Sequence, residues 1–264
     1  MLAHDEAHWW YRGRRRVLAA VIEGLELPPQ PRILDAGCGS GRTLDDLAAL
    51  GTVSGVDASA VAVRAARERG HADVQLANVE ELPFGDGRFD LVTCLDVIEH
   101  TPDDRATLAE LLRVTRPGGL LVATVPAYPS LFSAHDLING HYRRYRAATL
   151  RAAAVEAGWT AVADTHFNAV LLAPAALVRL ARRHRAGSRS ELTFTPRLMH
   201  HVLELPMARE AALIRAGHRL AFGLSLLMVM RRPGVVLRAV QGRGQPGRSR
   251  AKTSSATVAG AAAR

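Results

Sequence analysis

Residues 33–41, Ile-Leu-Asp-Ala-Gly-Cys-Gly-Ser-Gly, lead a short apolar segment into a carboxylate and then three glycines at alternate positions. Glycines at such a turn adopt backbone angles closed to other residues and let a ligand approach bare backbone. A dinucleotide-binding turn would need a further glycine at position 42, where Arg42 stands. Asp35 argues against it as well, because a carboxylate just before the turn repels a pyrophosphate on the following helix N-terminus and welcomes a cation. A Walker-type phosphate loop is excluded, since it requires a lysine at the turn and Lys252 is the only lysine in the chain. Two readings remain: a tight turn without a ligand, or a cationic, phosphate-free ligand lying against Gly37, Gly39 and Gly41. Asp57 ends the run Ser-Gly-Val-Asp. An acid at the end of a second strand can accept both hydroxyls of a ribose, the plainer alternative being an exposed turn aspartate.

A second group of ionisable residues follows Pro126: His135, Asp136, His141, Arg143, Arg144 and Tyr145. Several roles compete for it. His135 or His141 would take a proton from a substrate hydroxyl or amine, with Asp136 orienting an imidazole. Arg143 and Arg144 would grip a phosphate or carboxylate. Alternatively the segment is a hydrogen-bonded lid without a chemical step. A metal held by His135, Asp136 and His141 is set aside, because their spacing matches no recognised ligand pattern. His100, closing Val-Ile-Glu-His, is a further candidate base, or else bonds to backbone at the start of the next helix.

These residues need a scaffold that gathers them at one edge. From residue 31, short apolar runs alternate with helical patterns, the mark of a parallel sheet covered by helices. The patterns predict strands at 32–36, 52–57, 73–77, 89–95 and 119–125, and helices at 41–50, 59–70 and 103–115. Pro-Phe-Gly-Asp-Gly-Arg at 83–88 predicts a turn in place of a full crossover helix. Ahead of the sheet, 6–26 is a helical stretch bearing Trp9, Trp10 and Tyr11 that packs as a cap. Later come a helix over 146–157, a strand over 159–167 and an apolar run over 224–230. Leu220–Met230 falls well short of the roughly 20 residues that span a bilayer, and reads as a buried strand. Between these lies an insertion over about 168–222, with an apolar helix at 168–183, the arginines 179, 182, 183 and 185, and a helix near 206–217.

S-adenosylmethionine carries an ammonium and a sulfonium and no phosphate, which matches the glycine turn. The order of Leu-Asp-Ala-Gly-Cys-Gly-Ser-Gly, Gly-Val-Asp, Glu-Glu-Leu-Pro-Phe, Phe-Asp-Leu-Val, Val-Ile-Glu-His and Arg-Pro-Gly-Gly-Leu-Leu resembles class I S-adenosylmethionine-dependent methyltransferases over about residues 30–126. The resemblance implies an α/β, Rossmann-like seven-stranded sheet, mostly parallel with its last strand antiparallel, and helices on both faces. It implies a cap (1–30), a catalytic domain (31–233) whose helical insertion precedes the last strand near the substrate mouth, and a basic tail (234–264). It also implies that Asp35, Gly37, Cys38, Gly39 and Gly41 surround the methionine part of the cofactor, Asp57 and Ala58 the ribose, Asn78 and Val79 the adenine, and Leu95 the sulfonium. Many relatives have aspartate where Asn78 stands; the asparagine carbonyl can still accept from an adenine amino group. Tyr11 and one of Arg14 to Arg16, taken as Arg15, would close over the cofactor, the alternative being a packed aromatic and a solvated basic face. The loop His-Asp with Gly-His-Tyr-Arg-Arg-Tyr resembles a bacterial subgroup associated with glycosylation or lipid-linked pathways.

The net charge of +9 is concentrated in residues 231–264, whose seven arginines and Lys252 supply +8 and leave +1 for the rest. That distribution, with abundant alanine and arginine in place of lysine throughout, predicts a solvated tail, disordered from about residue 241, more than a nucleic-acid surface. Contact with a membrane surface stays open. Cys38 and Cys94 suggest neither disulfide nor metal framework, and no leader pattern opens the chain, so a cytoplasmic protein is expected. The predicted activity is methyl transfer to an oxygen or nitrogen of a small-molecule or lipid-linked acceptor. The alternatives are a non-catalytic cofactor-binding module of a biosynthetic assembly and a nucleic-acid methyltransferase.

Overall fold

A computed structural model describes residues 9–181 and 197–234. Helix α1 (Trp9–Ile22) precedes a sheet built from β1 (Arg32–Ala36), β2 (Thr52–Asp57), β3 (Val74–Leu76), β4 (Phe89–Leu95), β5 (Thr115–Pro126), β6 (Thr160–Phe167) and β7 (Ser225–Arg231). The helices between them are α2 (Arg42–Ala48), α3 (Ala60–Glu68), α4 (Asp104–Val114), α5 (Ala134–Ile138), α6 (Ala147–Glu156), α7 (Leu172–Ala181) and α8 (Arg197–Arg215). The sheet has seven strands in the order β3-β2-β1-β4-β5-β7-β6. Strands β1 to β5 pair in parallel, while β7 runs antiparallel to both β5 and β6, pairing Val122 with Val229 and Thr165 with Leu227. The strand order therefore reverses beside β1 and β4. Their carboxyl ends open the crevice in which an α/β sheet binds ligands.

Continuous apolar strands make sense only if both faces are covered. In β4 all seven residues are buried. Val92 and Cys94 join the core under α4 and α6, whereas Leu91 and Leu95 join the core under α1 and α8. Helix α4 starts where the Asp103 side chain accepts from the Arg105 and Ala106 backbone N–H groups. Helix α6 ends at Gly158, in a left-handed conformation at φ 98°. No helix joins β3 to β4; the turn instead seats Phe84 edge-on against Phe89, 5.0 Å between ring centres.

Two elements differ from the sequence pattern. Strand β5 begins at Thr115, four residues before its apolar run, because Thr115 pairs with Phe89 ahead of an irregularity in the ladder. Helix α8 begins at Arg197 and carries Pro206 in its interior, where the pattern set a start. The arginines 182, 183 and 185 and the tail beyond Gly234 lie outside the described residues. No helix among those described is long and apolar enough to cross a membrane.

The cap is held by close packing. At Gly13 of α1 a Cβ atom would lie 2.3 Å from the Met207 Sδ and 3.0 Å from its Cβ. Trp10 stacks on Phe167 at 5.7 Å, and Arg12 pairs with Glu204 at 2.9 Å. Met207 is 1% exposed, so a side chain at position 13 has no room to push it into. Gly13→Leu is expected to cost about 1–3 kcal/mol by overpacking this contact, read as a lower urea midpoint at unchanged m-value.

Candidate active site

The three glycines of the turn do different things. Gly37 and Cys38 donate backbone N–H bonds to the Val56 carbonyl at 2.8 and 2.9 Å, tying the end of β1 to β2. Gly37 has φ 84°, and a Cβ there would lie 2.3 Å from Val97 Cγ2. Gly41, also at φ 84°, starts α2 against Ala66 and His71, each 3.0 Å from where its Cβ would be. Gly39 alone faces open space, with nothing within 4 Å of its Cβ position. Its N–H donates to Asp57 Oδ2 at 2.9 Å, while Asp57 Oδ1 accepts from the Ser59 N–H at 2.8 Å. Each oxygen keeps a lone pair for a hydroxyl.

A cavity of about 190 Å³ opens at this turn, walled by Asp35, Gly37, Cys38, Gly39 and Leu95 from the sheet edge and by Tyr11, Arg14 and Arg15 from the cap. A larger hollow, about 510 Å³, lies between α3 and β3 and touches none of these residues, so the chemistry belongs to the smaller one. Asp35 is 2% exposed and accepts from Thr93 Oγ1 at 2.6 Å. Burial raises its carboxyl to about 6, against the opposing pull of the Thr93 bond and of Arg14. A buried carboxylate with so little compensation, beside bare backbone and an open cavity, fits a ligand bearing an ammonium.

Arg15 lines the cavity and pairs with Asp46 at 3.0 Å; Arg16 turns to Glu204. Arg14 was the less expected of the three. Its guanidinium crosses the sheet edge to Asp96 Oδ2 at 2.7 Å, passes 5.6 Å from the centre of the Tyr11 ring, and anchors the cap to the end of β4. Asp96 sits at φ 57° with Oδ1 accepting from Thr124 Oγ1 at 3.0 Å. The signal for it was its place directly after Leu95, at a strand's carboxyl end. Asn78 is exposed, its amide turned to Glu80, beside a buried Val79; Ala58 is exposed next to Asp57.

The loop after β5 separates into working and structural parts. Asp136 is fully buried and accepts from Ser133, His141 Nδ1 at 3.1 Å and Arg144 at 2.7 and 2.8 Å. Burial pushes its carboxyl up, but the His141 and Arg144 bonds prevail and hold it well below the usual range. Arg144 also donates to the Ala127 carbonyl and has a side chain 3% exposed, so its guanidinium grips its own loop. Tyr145 is likewise buried, its hydroxyl donating to Asp104. Asp136, Arg144 and Tyr145, expected to contact substrate, are buried and bonded within the protein because this loop folds back onto β5. Arg143 pairs with Asp104 at 3.3 Å. His135, in α5, contacts Asn139 at the end of that helix.

His100 and His141 do meet, their rings 4.6 Å apart and perpendicular. Glu99 joins them and was missed, since nothing in its local pattern marks it. It is fully buried, and neither carboxylate oxygen has a hydrogen-bond partner among the described residues. Burial, then Asp96, raises its carboxyl well above the ordinary value. Burial and the neighbouring His141 lower the His100 imidazole.

Residues 34–123 match the methyltransferase domain family. The chain is 32% identical over 176 residues to the ubiquinone biosynthesis O-methyltransferase of Thiobacillus denitrificans, covering 62% of this chain and 69% of that protein. It is 36% identical to the corresponding Xanthomonas oryzae protein over 110 residues, spanning 39% of this chain and only 46% of that one. A solved S-adenosylmethionine-dependent methyltransferase from Mesorhizobium loti shares the fold at 18% identity, with a TM-score of 0.56 over 82% of this chain and 98% of that one. The chain belongs to the class I S-adenosylmethionine-dependent methyltransferases. S-adenosylmethionine is accordingly its methyl donor.

Two outcomes follow from the buried acids. Asp35 rises from 3.8 to about 6 on folding, so the folded chain holds that proton more tightly than the unfolded one. Stability on the order of 3 kcal/mol is present below pH 4 and lost as pH rises through about 6. Asp35→Asn should therefore raise the thermal midpoint of the ligand-free protein at pH 7.5. A bound ammonium favours the ionised form, so titration calorimetry should find cofactor affinity falling below about pH 6 in the parent and nearly flat in the variant. Asp136 has the opposite sign: its stabilisation is present above its unfolded value and lost as the medium is acidified. Asp136→Ala, which strands buried Arg144, is expected to cost about 3–5 kcal/mol by denaturant unfolding.

Proposed function

We propose that this methyltransferase methylates a hydroxyl oxygen of a small-molecule or lipid-linked acceptor. The observation that carries the reading is the meeting of two surfaces at the end of β4. Leu95 lines the cofactor cavity, and the chain then runs directly through Asp96 to the cluster of Glu99, His100 and His141. Similarity to proteins named ubiquinone biosynthesis O-methyltransferases supports oxygen as the acceptor atom.

The bound cofactor supplies a methyl carbon already activated by its sulfonium. What the chain must add is alignment and a path for the acceptor's proton. In this reading Asp35 takes the ammonium, Asp57 the ribose hydroxyls, and Val79 and Asn78 flank the adenine. Tyr11, Arg14 and Arg15 close the cap side against water, and Arg14 fixes the cap by its bond to Asp96. His141, with Nδ1 committed to Asp136, presents Nε2 as its basic atom; His100 is kept neutral by burial and its neighbour. In this reading one of the two imidazoles takes the proton of the acceptor hydroxyl. Exposed Leu137, Ile138 and Tyr142 on the same loop offer apolar surface for the body of a greasy acceptor.

The test is transfer from methyl-labelled S-adenosylmethionine to fractionated cell extract and to hydroxylated aromatic compounds. Label is expected as an O-methyl group in the organic-soluble fraction, and removing residues 241–264 should leave it unchanged. Label confined to nucleic acid or to amines would overturn the assignment. Cofactor binding without turnover on any fraction would indicate a binding module instead.

A further inference from the structure

We propose that Glu99, His100 and His141 form a binding site for a single divalent transition-metal ion, Zn²⁺ by its donor set. One ligand atom from each residue lies within 4.8 Å of the other two. Convergence alone would be weak, but the Glu99 carboxylate adds an independent observation. It is 0% exposed and both of its oxygens lack a partner among the described residues. A buried, unpaired carboxylate is costly, and native proteins rarely leave one without a reason.

The charges around Glu99 do not relieve it. Asp96 is of like sign, and Arg14 and Arg144 act on it only from a distance. Arg14 is bonded to Asp96, and Arg144 to Asp136. What the pocket lacks is a cation, and two imidazoles face the same space.

The surroundings have the second layer that metal sites use. His141 Nδ1 bonds to the Asp136 carboxylate, which fixes the tautomer and leaves the Nε2 lone pair for a metal. Asp136 is in turn held by Arg144 and by Ser133 N–H. The two segments are stitched together by the Tyr142 N–H donating to the Glu99 carbonyl at 2.8 Å. His100 lies at the surface side of the cluster, partly covered by His141, which supplies an entry path. Metal bonds of about 2.0–2.2 Å require these donors to close by roughly 1 Å, a side-chain adjustment. Two histidines and one carboxylate leave a coordination position open, the arrangement of catalytic zinc, whereas Mg²⁺ prefers oxygen ligands.

This site deepens the hydroxyl-methylation reading, with the two imidazoles holding the ion in place of taking the proton: an acceptor hydroxyl on the open position would lose its proton to solvent at neutral pH, leaving the oxygen as nucleophile. The ion site itself does not depend on that reading, and its test requires no turnover. Protein stripped with chelator is titrated with Zn²⁺, Co²⁺ and Mg²⁺ by calorimetry, and bound metal is measured after dialysis. One Zn²⁺ per chain is expected, with visible absorption of four- or five-coordinate Co²⁺ at the same stoichiometry. Glu99→Gln, similar in shape and uncharged, and His141→Ala should each weaken Zn²⁺ about tenfold or more. His218→Ala, outside the cluster, should not. Thermal unfolding confirms that each variant is folded and should show a Zn²⁺-induced rise in the parent that Glu99→Gln loses. No retained Zn²⁺, retention unchanged in Glu99→Gln, or tighter binding of Mg²⁺ would overturn the proposal.

Discussion

A carboxylate buried at the end of β1 is the constraint on which the rest of the site depends. Asp35 has a single strong internal donor, Thr93, and lies among strands that are apolar on both sides. Ionising it there is costly unless a cation arrives. The glycine turn beside it keeps that approach open, since Gly39 offers only backbone and faces the cavity. A phosphate ligand would make the cost larger and an ammonium would remove it, so under the proposed assignment this one residue would disfavour nucleotides and favour the methyl donor. The fold accepts lower stability in the empty state, as sites shaped for charged ligands commonly do.

The same logic sorts the other acids along the carboxyl edge. Asp96 has Arg14 and Thr124, and Asp136 has Arg144, His141 and Ser133. These are satisfied groups that hold the cap and the acceptor loop in place. Asp57 is bonded by two backbone N–H groups but keeps acceptor capacity, and Glu99 is left with none of its bonds made. Five acids on one edge thus divide by their partners into those that build the site and those that wait for a ligand. Residue type alone could not separate them.

How much of this was legible in the sequence follows from the range of the interactions concerned. Strands β1, β2 and β4 begin and end where the sequence pattern sets them, because each apolar run is bounded by turn residues. Asp35 and the glycines were legible because the turn is local. The start of α8 was not: Pro206 reads as a helix boundary, whereas tertiary packing of Met207 and Ala211 under α1 carries the helix through it. Arg144 read as a grip for a phosphate or carboxylate because nothing local says that the loop returns to Ala127 and encloses Asp136. Glu99 and His141 lie on different loops, and only the pairing of β4 with β5 brings those loops together.

That pairing also explains why donor and acceptor functions separate along the chain. In the proposed assignment the groups that hold the cofactor come from the ends of β1 to β4 and from the cap, and the chemistry of the methyl donor does not vary. In the same assignment the acceptor side is assembled from the end of β4 and the loop after β5; α7 packs against the short turn at Pro129–Leu131. Loops and insertions can change there without disturbing the sheet, because their backbone is tied to itself through Asp136 and to β5 through Ala127. A scaffold arranged this way can keep one donor and exchange acceptors. The division predicts that determinants of acceptor choice concentrate after residue 126, on elements that touch the sheet only at its carboxyl edge.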